Sequence, residues 1–148
     1  MEAILHNLGL GFDVALQPVN LMWLVIGGLL GTIIGMLPGL GPATGVAVLI
    51  PLTYGMNPAT ALITMAAVYY GAMFGGSRAS IMINTPGDAS AIVSCFDGYP
   101  MAKTGRAGSA LATSAIASFV GGIFGMVFLI FFTAPVGELA LKFGPAEK

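Results

Sequence analysis

The stretch Met36–Gly45, MLPGLGPATG, interrupts a long apolar region with two prolines and three glycines. In hydrocarbon an unpaired backbone N–H or C=O is costly, so a helix is broken inside a membrane only where protein or a water-filled cavity satisfies the freed groups. Pro38 ends the preceding helix, and Pro42 suits the first turn of the next one. The stretch therefore predicts a short helix whose N-terminal N–H groups point into the protein interior, at a binding site.

The composition around this stretch is that of a membrane protein. Of the 148 residues, 57% are hydrophobic and 7% are charged. No Asp, Glu, Lys or Arg lies between Asp13 and Arg78, or between Arg106 and Glu138. Each run holds at least one span of about 20 apolar residues. We predict an all-α integral membrane protein embedded in the lipid bilayer, and the net charge of -1 gives no basic surface for nucleic acid.

Three apolar segments are predicted to cross the membrane, namely Leu21–Leu37, Ala59–Gly76 and Ala107–Thr133. In the first, Gly27, Gly31 and Gly35 recur every four residues, which favours close packing against another helix. Ala43–Gly55 is too short to cross and is predicted to be a half-helix.

A second break of the same kind occurs at Ile83–Ser90, INTPGDAS, where Pro-Gly again precedes small and hydroxyl residues. Two interrupted apolar segments are typical of the binding site of a transporter. The alternative is that both breaks are tight turns at the membrane surface, where proline and glycine are common.

The segment Arg78–Asp97 around this second break has two short arms, and neither can cross about 30 Å of hydrocarbon. It is either one broken crossing or a re-entrant hairpin. A crossing places Arg78 and Asp97 on opposite membrane faces, and a hairpin places them on the same face. The polar stretch Asp97–Arg106 that follows is predicted to be a loop.

Two charged residues near this break are candidates for function. Arg78 is the only Lys or Arg before Lys103, so it lies at the interface or pairs with an anionic substrate or with Asp88. Asp88 suits a helix N-cap, or, if buried, it binds Na⁺ or carries a coupling proton.

The predicted site contains no catalytic residue, metal or resident cofactor, because one His and six scattered acids offer no catalytic arrangement. An enzyme is therefore not predicted. The substrate and ion-binding residues are expected in and beside the two breaks: Pro38, Gly39, Gly41, Thr44, Arg78, Ser80, Asn84, Thr85, Pro86, Gly87, Asp88 and Ser90.

Four ordered motifs, GMLPGLGP, GGSRASIMINTPGDASA, FDGYPMAKTGRAGSAL and FGPAE, closely resemble the large membrane subunit of the tripartite tricarboxylate transporters, the TctA family. The resemblance runs from about Leu21 to the last residue. It implies a multi-pass secondary transporter of the bacterial inner membrane, built from inverted repeats with re-entrant hairpins. Such a transporter takes organic anions such as citrate from a periplasmic substrate-binding protein, works with a small membrane subunit, and is driven by an ion gradient.

Within this resemblance, the PGLGP motif of the family falls on Pro38–Pro42, its N-x-PG motif on Asn84–Gly87, and its DGYPMA loop on Asp97–Ala102. Arg78 stands where a small polar residue is expected, and in the cavity it would tune the charge of the substrate. Family members are several times longer than this chain.

We therefore expect residues 1–148 to form one transmembrane domain, equivalent to the N-terminal part of the first repeat, with residues 1–19 forming an interfacial helix. The alternatives are a small membrane protein with a structural or assembly role and an oligomeric channel.

Overall fold

The computed structural model describes residues 2–141, and within that range it contains helices and no strand. The prediction of an all-α membrane protein is confirmed. The helices are α1 (Glu2–Ala15), α2 (Pro18–Met36), α3 (Pro42–Leu49), α4 (Pro58–Ile83), α5 (Val93–Met101) and α6 (Ala107–Leu141), with 3₁₀ turns at Ile50–Thr53 and Ala89–Ile92 and a π turn at Ala102–Arg106. Among the described residues, three helical stretches are long and apolar enough to cross a membrane: Pro18–Met36, Pro58–Ile83 and Ala89–Thr133.

The chain divides after Leu111 into two compact units. The first holds α1 to α5 and the start of α6, and it contains both helix breaks. The described part of the second unit is the remainder of α6, from Ala112 to Leu141.

The core of the first unit is the contact between α2 and α4, which the glycines of α2 make possible. A Cβ atom on Gly27 would lie 2.8 Å from the Thr64 carbonyl oxygen, and one on Gly35 would overlap the backbone of Ala72. Gly31 lies equally close to the backbone of α4. The contacts advance in the same direction along both helices, so α2 and α4 run parallel. The predicted packing of this glycine face against another helix is confirmed.

The opposing face of α4 also contains glycines at the contact. Gly71 lies against the Gly28 carbonyl, and Gly75 lies against the Thr32 carbonyl. Each helix therefore presents glycines to the backbone of the other. Lipid tails give helices no hydrophobic reason to associate, so this close approach supplies the van der Waals contact that holds them together.

A buried amide fixes the start of this helix pair. Asn20 of α2 is 2% exposed, its Nδ2 donates to the Val14 carbonyl at 2.6 Å, and its Oδ1 accepts from Thr60 Oγ1 at 2.6 Å. One side chain thus joins α1, α2 and α4, and its polar groups are satisfied as burial requires.

α3 packs back along this pair after the first break. Gly45 faces side-chain atoms of Ile34, Val68 and Ala72, all within 4 Å of where its Cβ would lie. With the 3₁₀ turn that follows, α3 is about 20 Å long, which is short of the roughly 30 Å hydrocarbon thickness. The predicted half-helix is confirmed.

The end of α4 and the segment after it differ from the sequence prediction. α4 does not end at Gly76 but continues to Ile83, where Asn84 adopts a left-handed conformation (φ 56°). The predicted loop Asp97–Arg106 is helical as far as Met101, and its kink is confined to the π turn. The glycine-rich composition was misleading because Gly98 is a helix contact: it packs against the Ile81 side chain.

The α2–α4 contact predicts that alanine substitution destabilises the protein at a glycine where a Cβ would meet α4, and does not do so at a glycine where a Cβ would meet open space. Gly31→Ala places a Cβ against the Val68 backbone, whereas a Cβ on Gly28 meets nothing within 4 Å. We expect Gly31→Ala to cost about 1 to 3 kcal/mol of stability, as overpacking does. Gly28→Ala should be neutral or slightly stabilising. Thermal unfolding in detergent measures both, and equal melting temperatures for the two variants would contradict the contact.

Candidate functional site

The first break (Leu37–Gly41) and the second break (Asn84–Asp88) meet in space, although they lie far apart in the sequence. A Cβ on Gly41 would lie 3.5 Å from the Asp88 Cβ and 3.9 Å from the Gly87 carbonyl oxygen. This contact brings the two predicted halves of the site together.

Close backbone contacts seat the second break on the ends of α2 and α4. Gly87 is buried, and a Cβ on it would overlap the Gly35 carbonyl oxygen and lie 2.8 Å from the Gly76 Cα. Three glycines from three segments therefore converge here. A side chain on Gly87 would hold the second break away from the helix pair.

The carboxylate of Asp88 is only half satisfied. Its Oδ2 accepts from Ser90 Oγ at 2.6 Å, but its Oδ1 is buried and has no hydrogen-bond partner among the residues that the structure describes. Asp88 stands at the N-cap position of a 3₁₀ turn, yet its side chain makes no capping bond. The N-cap interpretation therefore does not account for this side chain, and Oδ1 is free to bind a ligand.

Two oxygen atoms line the space beside Gly76. From the point where a Gly76 Cβ would lie, Asp88 Oδ1 is 3.3 Å away and the Gly35 carbonyl oxygen is 3.7 Å away. Gly35 belongs to the last turn of α2, where carbonyl groups carry the negative end of the helix dipole. A carboxylate and a carbonyl at a helix C-terminus are suited to a hard cation.

The N-terminus of α3 lies near Asp88, because Gly41 is the N-cap of α3 and a Cβ on it would be 3.5 Å from the Asp88 Cβ. The N–H groups of this helix end favour negative charge.

The remaining residues of the second break support its backbone. Ser80 is fully buried and donates from Oγ to the Gly76 carbonyl at 2.9 Å, and Thr85 donates to the Ile83 carbonyl at 3.1 Å. Asn84 donates its backbone N–H to the Ser80 carbonyl at 3.2 Å. Pro86 is half-buried. These groups shape the end of α4 and hold Asp88 in place.

Three predicted site residues of the first break region face outward in this chain. Pro38, Gly39 and Thr44 are exposed, and a Cβ on Gly39 meets nothing within 4 Å. Gly39 has φ +83°, a conformation that favours glycine, so its role in the structure is to turn the chain.

Arg78 lies on the other side of α4 from Asp88. Because each residue turns an α-helix by about 100°, Arg78 points about 200° away from Gly76, against which Asp88 packs. Its guanidinium stacks on Phe74, with Cζ 3.2 Å from the ring centroid, and its Nη1 is buried without a hydrogen-bond partner in the described part of the chain. The pairing of Arg78 with Asp88 is therefore wrong, and helix geometry is the reason.

Four residues at the site or in its support are not among those predicted from the sequence: Gly35, Gly76, Phe74 and Asn20. Gly35 and Gly76 belong to glycine patterns that predict helix packing and give no indication of a binding site. The contact of Phe74 with Arg78 could have been predicted from the sequence, because Phe74 precedes Arg78 by four residues and so shares its helix face. Asn20, in a long uncharged run, is the kind of polar residue that membrane helices bury only with a partner.

An all-α membrane protein in which two helix breaks meet beside a carboxylate has features that are typical of a transporter component. The comparisons with known proteins specify which one. The model of the "Tripartite tricarboxylate transporter TctA family" matches residues 21–148, and the chain belongs to this family. The family consists of transporter components and is not a family of enzymes.

A curated relative in Agrobacterium vitis is 48% identical over 147 residues. It is described as an "Uncharacterized 52.8 kDa protein in TAR-I ttuC' 3'region". The match covers 99% of this chain and 29% of the relative, so the chain spans less than a third of the length of the protein it matches. No solved structure matches the chain.

Proposed function

We propose that this chain contributes the ion-binding part of a TctA-type subunit that takes up tricarboxylates or related organic anions, driven by an ion gradient. The observation that carries this proposal is the meeting of the two breaks at Asp88, whose Oδ1 is buried and has no partner within the described residues. Membership of the family supports the transport of carboxylates.

The coupling cation is Na⁺ or H⁺, and its binding group is Asp88. Na⁺ would bind Asp88 Oδ1 together with the Gly35 carbonyl, whereas a proton would need the carboxylate alone. In either case the bound cation neutralises Asp88.

The partners and location follow from the tripartite nature of the family. A periplasmic substrate-binding protein would deliver the organic anion, and a small membrane subunit would complete the assembly in the bacterial inner membrane. Family-length subunits would supply the inverted second repeat and the other gate.

The ion-site proposal predicts a specific loss in the complete assembly. Asp88→Asn should reduce citrate uptake at least about tenfold and abolish its dependence on Na⁺ or pH, because the amide cannot carry the charge that the cation neutralises. Uptake by cells with matched protein levels is the measurement. Asp97→Asn, at an exposed position of α5, is the control and should be silent.

Gly41→Leu provides a second variant, since a bulky side chain there would push Asp88 away. We expect uptake to be lost with expression intact. Wild-type uptake and cation dependence in both variants would refute the site and favour a structural or assembly role.

We further propose that the second break and α5 form a re-entrant hairpin. The contact between Gly98 and Ile81 supports it, because residues on both sides of the break then lie next to each other. A single broken crossing would carry α5 away from the end of α4.

The hairpin predicts the same membrane sidedness for both of its arms. Single cysteines at Met82 and Asp97, both exposed, should react with an impermeant thiol reagent from the same side of the membrane. Cys95→Ser provides the background in which to measure them. Labelling from opposite sides would establish a broken crossing instead.

A further inference from the structure

A second unpartnered charged group lies outside the ion site, on the opposite flank of α4. The guanidinium of Arg78 stacks on the face of Phe74, with Cζ 3.2 Å from the ring centroid. The aromatic face attracts the cation and restricts the orientation of its plane. Phe74 precedes Arg78 by one helical turn, so both side chains share one face of α4.

Arg78 as a whole is half-buried, and the stacking leaves one of its donor atoms without an acceptor. Nη1 is buried and has no partner among the described residues. A buried charged donor without an acceptor is more costly than a neutral one, so its natural complement is an anion. Asp88 is excluded by its position on the other flank.

The level of Arg78 along α4 places it beside the first break. Gly75, almost one turn earlier, contacts the last residue of α2: a Cβ on Gly75 would lie 3.0 Å from the Met36 backbone N. Arg78 therefore lies just beyond the end of α2. This is the level at which the chain leaves α2 and enters the first break.

We propose that Arg78 binds a carboxylate group of the transported anion and that Phe74 is the positioning residue that holds the guanidinium for it. The proposal rests on the proposed function, which supplies an organic anion as the substrate. Arginine suits this role because two parallel N–H groups match the two oxygens of a carboxylate. The cation and the anion then bind on opposite flanks of α4, which keeps the substrate away from the charge of Asp88.

The test measures KM and Vmax for uptake of citrate, isocitrate and succinate by the complete assembly. We expect Arg78→Gln to raise KM at least about tenfold for the transported anion, and Arg78→Lys to raise it less, because a charge remains without the bidentate geometry. The Na⁺ or pH dependence of uptake should be unchanged in both variants, since Asp88 is intact.

The KM of Phe74 variants shows whether this ring positions the Arg78 guanidinium or only fills space. Phe74→Leu should raise KM severalfold at unchanged Vmax, whereas Phe74→Tyr should restore it because the aromatic face is kept. A matched control is Lys103→Gln, which removes another cation stacked on a ring, that of Tyr99 at 5.1 Å, away from the breaks. This control should leave KM unchanged.

The outcomes separate this inference from the proposed function. A wild-type assembly that takes up citrate but shows the same KM with Arg78→Gln overturns the role of Arg78 and leaves the proposed function standing. A loss of protein level or Vmax at constant KM also overturns it, because Arg78 would then pair with another protein segment. If Arg78→Gln does not assemble, the Phe74→Leu and Phe74→Tyr pair decides by the same criterion. A wild-type assembly that takes up none of the three anions overturns both proposals.

Discussion

The backbone contact between α2 and α4 is the constraint on which the candidate site depends. Glycines on both helices allow the two backbones to touch, and this contact aligns the C-terminal turn of α2 with the middle of α4. It thereby places the Gly35 carbonyl next to Gly76, on the surface where Gly87 lands. A larger residue in these positions would separate the helices and so disrupt the surface on which Gly87 packs. The same glycines therefore determine both the packing and the position of Asp88.

The two charged side chains next to α4, those of Asp88 and Arg78, lie on opposite flanks of this helix. Asp88, the α2 carbonyl end and Gly76 lie on one flank, and Arg78 with Phe74 lies on the other. An ionised acid next to the proposed anion site would weaken substrate binding, and an arginine next to the proposed cation site would weaken ion binding. Separating the two across a helix avoids both effects while keeping them within one local structure.

Much of this arrangement could be predicted from the sequence, because its signals are local. The Pro-Gly stretches specify the breaks, the four-residue glycine spacing specifies a packing face, and the uncharged runs specify the membrane. What the sequence could not show was which segments meet. The contact of Gly41 with Asp88 and the orientation of Arg78 away from it depend on the register of α2 against α4, which the Asn20–Thr60 hydrogen bond helps to fix. The helical character of α5 was hidden because Gly98 is a packing residue there, not a turn residue.

The most direct test of this account is a disulfide between the two breaks. The Cβ positions of residues 41 and 88 are 3.5 Å apart, within the range of about 3.5 to 4.5 Å that disulfides require. In a Cys95→Ser background, Gly41→Cys with Asp88→Cys should cross-link under mild oxidation in the membrane. Gly39→Cys with Asp88→Cys is the control and should not, because residue 39 has nothing within 4 Å. Cross-linking of both pairs, or of neither, would contradict the claim that the two breaks meet to form one site.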